Sequence, residues 1–247
     1  MKLVVTEKND AAQKIADLLG VKKPKADKVY STPVYRFDVD GEEWVTIGLR
    51  GHILEPDFAP TMVYKKRGGW QGVTEEGETL PASLPKPPFK KKKPFTEDGV
   101  ELKSWKMDAL PYLVYAPINK LPKEKEIIRS LKNLAKKADS VIIATDFDRE
   151  GELIGSDALS CIQEVNATAP VSRARYSAFT KEEITHAFDN LVELDVNLAS
   201  AGASRQDIDL IWGAVLTRYL TLVKFAGYGN VRSSGRVQTP TLALIVA

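Results

Sequence analysis

Apolar and polar positions follow two rhythms along the first two-thirds of the chain. The runs "KLVVTE" and "SVIIATD" are short, continuous and rich in β-branched residues, the pattern of strands covered on both faces. "NDAAQKIADLLG" instead repeats Ala12, Ile15, Ala16 and Leu19 on one stripe, which predicts a helix with Asn9 as N-cap and Gly20 as its stop. "LPKEKEIIRSLKNLAKKA" reads as a second helix, opened by Pro122, with Ile127, Ile128, Leu131, Leu134 and Ala135 facing inward. Between these helices, "VYRFDVDGEEWVTIGL" alternates and turns at Asp40-Gly41, a hairpin signal, and "LVYAP" reads as another strand. A helix from Gly151 to about Glu164 follows "SVIIATD". Strands alternating with helices predict an α/β fold whose largely parallel sheet is flanked by helices.

The rhythm breaks between Glu55 and Met107. "PASLPKPPFKKKKPF" is rich in proline and lysine, and residues 64–106 hold ten Lys/Arg against six Asp/Glu, the composition of a solvated surface insertion. After "VSRARYS" the pattern becomes mainly helical: "TKEEITHAFDNL", then a long run from Asn197 toward Phe225. The loop "GYGNVRSSGRVQTPT" leads into a last apolar segment. A boundary near Asn166 therefore divides an α/β domain, 1–165 with an insertion at about 56–107, from a mainly helical second domain, 166–247.

Composition narrows the class without naming a function. At 247 residues, 43% apolar and 28% charged, the chain has the make-up of a soluble globular protein. No apolar stretch reaches the roughly 18–20 residues that span a bilayer, and "MKLVVTEKND" meets charge too early for a secretory signal. Cys161 is the one cysteine, which excludes an internal disulfide and a cysteine zinc site and fits a reducing compartment. The net charge of +2 cannot by itself argue for nucleic acid; local patches must.

Candidate chemistry concentrates in "IIATDFDREGELIG", where Asp146, Asp148, Glu150 and Glu152 fall within seven positions. Asp146 and Asp148, two apart at a strand end, point to the same side in extended chain. That is the carboxyl end of the sheet, where open α/β folds place their sites. Oxygen ligands converging there suit magnesium, which keeps waters and leaves room for phosphate oxygens. Three other readings stand beside this one: an acidic loop open to water, a calcium hand and a dehalogenase-type phosphatase. Asp146, Asp148, Glu150, Gly151 and Asp157 match calcium-loop positions, but a strand precedes them where a helix is required. The phosphatase uses strand-DxD near its first strand, with a following small residue and threonine. "VVTEK" adds Glu7 and Lys8 at the end of the first strand, where a parallel sheet would bring them beside Asp146. A glutamate among carboxylates suits a general acid or base, and a lysine suits a phosphate in transfer.

"TEK" after the first strand with "ATDFDREGELI" after a later one resembles the Toprim domain, a magnesium-dependent fold shared by topoisomerases, primases and some nucleases. "DREGE" resembles the type IA DNA topoisomerases in particular. "GLRGHILEP", "RARYSAFTKEEITHAF" and "SSGRVQTPTLALIV" are similar to further segments of that family, in order along nearly the whole chain. Only the Pro/Lys-rich insertion lacks a counterpart. "TEKNDAAQKIA" lacks the Ser-Pro-Ala-Lys of bacterial topoisomerase I and is closer to the topoisomerase III and archaeal branch. Ala178 stands where many members carry glutamate.

The resemblance implies relaxation of negatively supercoiled DNA without ATP: a tyrosine attacks a single strand, forms a 5′-phosphotyrosine link, and the break reseals after strand passage. It implies Glu7, Asp146, Asp148 and Glu150 as the acidic and Mg2+ site, Lys8 as an aid to phosphoryl transfer, and Arg236 near the scissile phosphate. Ser233, Ser234, Gly235, Arg236, Val237 and Gln238 would line the single-strand path, with Arg205, Asp209 and His52 as further DNA contacts. It also implies a cytoplasmic, nucleoid-associated prokaryotic enzyme. None of the eight tyrosines lies in the family's Tyr-Pro-Arg-Thr context, so the chain reads as an amino-terminal fragment, inactive without the missing carboxy-terminal domains.

Other readings stay open on residues alone. His52 after a glycine is as often structural as functional, and Arg232 and Arg236 could be solvated. Trp212, at helical spacing with Ile208, Ile211 and Val215, reads as core. A Toprim nuclease or primase-like protein would use the same carboxylates but lacks the Ser-Gly-Arg segment. A stand-alone single-strand binding module would need metal to offset the acidic cluster.

Overall fold

Leu3, Val4 and Val5 are wholly buried on both sides of one strand, the hub of the main sheet. The computed structural model describes residues 1–63, 84, 93–96, 99–224 and 230–246. Most of the Pro/Lys-rich insertion, 64–92 apart from Leu84, lies outside the described residues, as does 225–229 of the Gly/Arg loop. The elements are β1 (Lys2–Thr6), α1 (Asn9–Leu19), β2 (Lys25–Val29), β3 (Thr32–Val39), β4 (Glu42–Gly48), β5 (Leu54–Phe58), β6 (Thr61–Val63), β7 (Gly99–Glu101), α2 (Leu110–Leu113), β8 (Ile118–Pro122), α3 (Lys125–Ala135), β9 (Ser140–Ile143), α4 (Arg149–Gln163), β10 (Val171–Arg173), α5 (Lys181–Asp189), α6 (Val196–Val223) and α7 (Gln238–Val246).

Six strands form the main sheet in the order β10-β9-β1-β4-β3-β2. β1 runs parallel to both β4 and β9, and β9 parallel to β10, while the β3 hairpin adds an antiparallel edge. Alternation along each strand sends Leu3, Val5, Val34 and Ile47 into one core with Leu131 and Leu134 of α3 and Ile154 of α4. Val4, Tyr35 and Ile142 enter the opposite core with Ile15 of α1 and Ile184 of α5. Leu131 is fully buried, so truncating it to alanine would cost about 2–5 kcal/mol in lost transfer and cavity energy.

The chain divides into two compact units, Met1–Glu55 with Leu121–Ser204, and Pro56–Lys120 with Arg205–Ala247. This differs from the expected boundary near Asn166. The difference has a physical cause: β10 completes the main sheet by pairing with β9, which keeps the segment after 166 in the first unit. The 56–107 stretch likewise does not end as a bare insertion. Phe58, Met62, Val100, Leu102 and Leu113 build a core of their own, against which Ile211, Ala214 and Val215 of α6 pack.

Four local expectations are corrected. "LVYAP" is not a strand: Pro111 in the first turn starts the short helix α2, and Tyr112 and Leu113 are buried in the second unit's core. Pro122 closes β8, and α3 begins only at Lys125. The N-cap of α1 is Lys8, while the Asn9 amide donates to the Tyr35 hydroxyl at 3.0 Å. In the second unit Trp212 and Ile208 are about half exposed, so they are not the core residues their spacing predicted; their neighbours Ile211 and Val215 turn inward instead.

Candidate active site

The register of the sheet brings the two charged sequence motifs of the first unit together. Val5 of β1 is level with Ile143 of β9, and the Val5 carbonyl accepts from Ala144 N–H at 2.7 Å. Glu7 and Asp146 therefore emerge side by side at the carboxyl end of adjacent parallel strands. Lys8 bridges them: its Nζ lies 3.0 Å from Glu7 Oε1 and 3.8 Å from Asp146 Oδ2. The hydrogen bond to Glu7, then the charges of Glu7 and Asp146, raise the Lys8 pKa, so the ammonium stays protonated.

Buried threonines anchor the loops that carry these groups. Thr6 Oγ1 donates to the Lys8 carbonyl at 2.9 Å, and the Glu7 carbonyl accepts from Gly51 N–H at 2.9 Å. Thr145 Oγ1 donates to the Gly151 carbonyl at 2.7 Å. Asp148 caps α4, its Oδ1 accepting from Gly151 N–H at 2.8 Å. Glycine is required at 151 because a Cβ there would sit 2.0 Å from the Asp146 carbonyl oxygen. That carbonyl accepts from Arg173 Nη2 at 2.9 Å. Arg173 is fully buried and its Nε donates to fully buried Glu152 at 3.1 Å.

The sequence pattern does not single out Arg173, Thr6 or Thr145, and Glu152 stands in it only as one of four clustered carboxylates. A threonine directly before each acidic motif was the available signal for the last two. Arg173 carried none, because its partner lies across β9 and α4.

Glu150 meets His52. From the second residue of α4 its Oε2 lies 3.3 Å from His52 Nε2, and both side chains are partly buried. His52 follows Arg50 and Gly51, both in the left-handed region at φ 62 and 83, a turn that delivers it to α4. The oxygen donors of Glu7, Asp146 and Asp148 suit magnesium in kind. Among the described residues, however, no three His, Cys, Asp or Glu side chains stand close enough to hold a metal ion, and the place between Glu7 and Asp146 is taken by the Lys8 ammonium.

The remaining expected residues lie in the second unit. Residues 231–235 run beside α6, tied to it by two hydroxyls one turn apart: Thr221 accepts from Arg232 N–H at 2.9 Å and Thr217 from Ser234 N–H at 3.0 Å. Ser234 is buried and its hydroxyl meets that of Thr239 at 2.8 Å, while Gln238 Nε2 donates to Ser233 Oγ at 3.2 Å. Gly235 and Val237 flank Arg236, whose Nε and Nη2 reach both Asp209 oxygens at 2.5 and 3.1 Å. This fork holds the Asp209 carboxyl below the usual range, with Arg205, one turn earlier on α6, adding a weaker attraction. Arg236 is thus paired with an acidic neighbour, in a pair that stays about 40% exposed.

The Toprim domain family matches residues 2–179, and a DNA topoisomerase family matches 193–247. The chain belongs to the Toprim family, on its type IA DNA topoisomerase branch. DNA topoisomerase 1 of Archaeoglobus fulgidus is 40% identical over 99% of this chain and 30% of that protein. Human DNA topoisomerase 3-alpha is 30% identical over 99% of this chain and 22% of that protein. Both agree with the archaeal and topoisomerase III likeness of "TEKNDAAQKIA". Full-length topoisomerase I from Thermotoga maritima shares the fold with a TM-score of 0.54, at 22% identity over 98% of this chain and 29% of that one. The chain spans about 30% or less of the length of these relatives. The Toprim domain is a metal-binding fold. Among the described residues, no helix is long and apolar enough to cross a membrane.

Proposed function

We propose that this topoisomerase chain binds a single strand of negatively supercoiled DNA and supplies the acid, cation and metal side of a type IA cleavage and religation reaction. The observation that carries the reading is the Glu7–Lys8–Asp146 cluster at the carboxyl end of β1 and β9, in a chain of this family. Glu7, Asp146 and Asp148 would supply the oxygen donors for Mg2+ once Lys8 turns away from between Glu7 and Asp146, while Glu150 stays with His52 on the first turn of α4. Bound there, the ion would offset carboxylate charge and bind a phosphate oxygen.

The chain's own groups have separate roles. Lys8 presents a permanent cation, released from Glu7 toward a phosphate oxygen as negative charge builds. Glu7, three-quarters or more shielded and beside Asp146, gives and takes the proton at the leaving 3′-oxygen. Arg236 exchanges Asp209 for a backbone phosphate, with Ser233 and Gln238 alongside, while His52 and Arg205 add DNA contacts. The nucleophile is not among the eight tyrosines here; it comes from the carboxy-terminal domains with which this chain works, beside the nucleoid in a prokaryotic cytoplasm.

Incubating the chain with magnesium and either supercoiled or single-stranded DNA tests the reading. The expected outcome is binding without a cut and without a covalent adduct. Magnesium-dependent cutting would instead establish a Toprim nuclease, and an adduct would place the nucleophile inside this chain.

A further inference from the structure

The exposed side of α3 carries a charge pattern that the carboxylate site does not use. Residues 121–137 hold six Lys/Arg against two Glu, a surplus of four in a chain whose whole net charge is +2. Lys125, Arg129, Lys132 and Lys136 recur at intervals of four, three and four, so they share one helix face. Lys132 is committed to Glu164 at 2.7 Å. Among the described residues Lys125, Arg129 and Lys136 pair with no carboxylate, and all three are exposed.

An aromatic ring stands beside the middle of this face. Tyr30, in the β2–β3 turn, holds a left-handed backbone at φ 53 and is 48% exposed. The turn is fixed from below: Ser130 Oγ of α3 donates to the Val29 carbonyl and meets Thr32 Oγ1, each at 2.8 Å. The Arg129 guanidinium lies 4.0 Å from the centre of the Tyr30 ring. Together Tyr30, Lys125, Arg129, Asn133 and Lys136 line a surface cavity of about 430 Å³. That is the scale of a small-ligand pocket rather than of a featureless helix side.

We propose that this cleft is a second single-stranded DNA contact, in which phosphates meet Lys125, Arg129 and Lys136 and a base lies on the open face of Tyr30. Cations tracking a backbone beside an aromatic platform are what sequence-tolerant single-strand binding requires. The lengths agree. The eleven steps from Lys125 to Lys136 cover about 16 Å at the usual rise, room for at most about five nucleotides at the 3.4 Å spacing of a stacked strand. The position agrees too. Thr32, level with the carboxyl end of β4, places the Tyr30 turn at the same sheet edge as Glu7, three strands away. At about 4.8 Å per strand this is about 14 Å. Since α3 precedes β9, the cationic face then runs from that edge toward the opposite one. The cleft would hold the strand beyond the segment engaged at Glu7 and Asp146, and this rests on the DNA topoisomerase reading above.

The test is fluorescence anisotropy of the chain with a labelled oligothymidine, across a salt series. The triple variant K125A/R129A/K136A should bind at least tenfold more weakly than the unaltered chain, and its log–log salt slope should fall by about 2, at about 0.7 per phosphate lost. Y30A should lose about fivefold, a single stacking contact, whereas Y30F should bind as the unaltered chain does. In the unaltered chain, bound oligonucleotide should protect Lys125 and Lys136 from acetylation, which needs no variant to fold. Unchanged affinity in the triple variant, unprotected lysines, or equal losses in Y30A and Y30F overturn the proposal. An unaltered chain that binds no strand overturns the DNA reading itself. A chain that binds, weakens with Arg236→Ala and ignores the α3 changes overturns only the second contact.

Discussion

Two acid–base pairs in this molecule look alike on paper and are built differently. Lys8 between Glu7 and Asp146 stands on buried supports: Thr6, Thr145, the α4 N-terminus and, beneath the Asp146 carbonyl, Arg173 locked to Glu152. Arg236 with Asp209 is a bidentate fork between a loop and a helix surface, open to water on both partners. The first arrangement fixes the positions of backbone carbonyls and leaves only side-chain tips to adjust. The second spends little to open, because an exposed pair contributes only about 0–1 kcal/mol. A site that must hold a cation against mutual carboxylate repulsion needs the first kind of mounting. A residue that must let go of a partner to take a phosphate is better served by the second.

The largest effect should come from removing the support under the first pair. Arg173→Ala would leave buried Glu152 with only the more distant Arg175, 4.0 Å away, at a cost of up to about 3–5 kcal/mol, and would free the Asp146 loop. Denaturant unfolding reads this directly, and a change under 1 kcal/mol would show that the pair is not buried in solution. Arg236→Ala, by contrast, should weaken single-strand affinity by about 1–3 kcal/mol while lowering stability by less than about 1 kcal/mol. Measuring the melting temperature and the affinity on one sample separates a phosphate contact from a structural pair. Unchanged affinity in low salt would reduce Arg236 to the latter.

A smaller effect sharpens the contrast from the alkaline side. The Tyr176 hydroxyl donates to the Ala144 carbonyl at 2.7 Å, and burial, helped by the nearby Asp146 charge, raises its pKa well above the ordinary phenol value. Its contribution is fully present below the unfolded pKa near 10 and is lost as pH rises through the higher folded value. Stability should therefore decline above about pH 10, and Tyr176→Phe should flatten that decline while costing about 1 kcal/mol at neutral pH. An identical alkaline profile in the variant would assign the decline elsewhere.

Local pattern made much of the first unit legible. The β-branched runs of β1 and β9, the stripes of α1, α3 and α4, and the Asp40-Gly41 turn each announce themselves within about a dozen residues. So did the meeting of Glu7 with Asp146, because parallel neighbours bring their carboxyl ends together. What was not legible depends on partners distant in sequence. β10 is three residues long and owes its place to pairing with β9. The apolar run at 110–117 could serve equally as strand or helix until Pro111 and the second unit's core decide. Trp212 and Ile208 have core spacing, yet the other side of α6 is the one that packs. The contact of Glu150 with His52 was not legible either, because the two lie almost a hundred residues apart.

The central claim, that Glu7, Asp146 and Asp148 form a magnesium site which Lys8 fills by charge, is tested most directly by calorimetric titration of magnesium into the chain and into Asp146→Asn. Loss of one ligand should weaken magnesium binding by tenfold or more, about 1.4 kcal/mol. Because Asp146 is half-exposed and Lys8 keeps its closer bond to Glu7, stability without magnesium should stay unchanged or rise. Equal magnesium affinity in the two proteins would contradict the site.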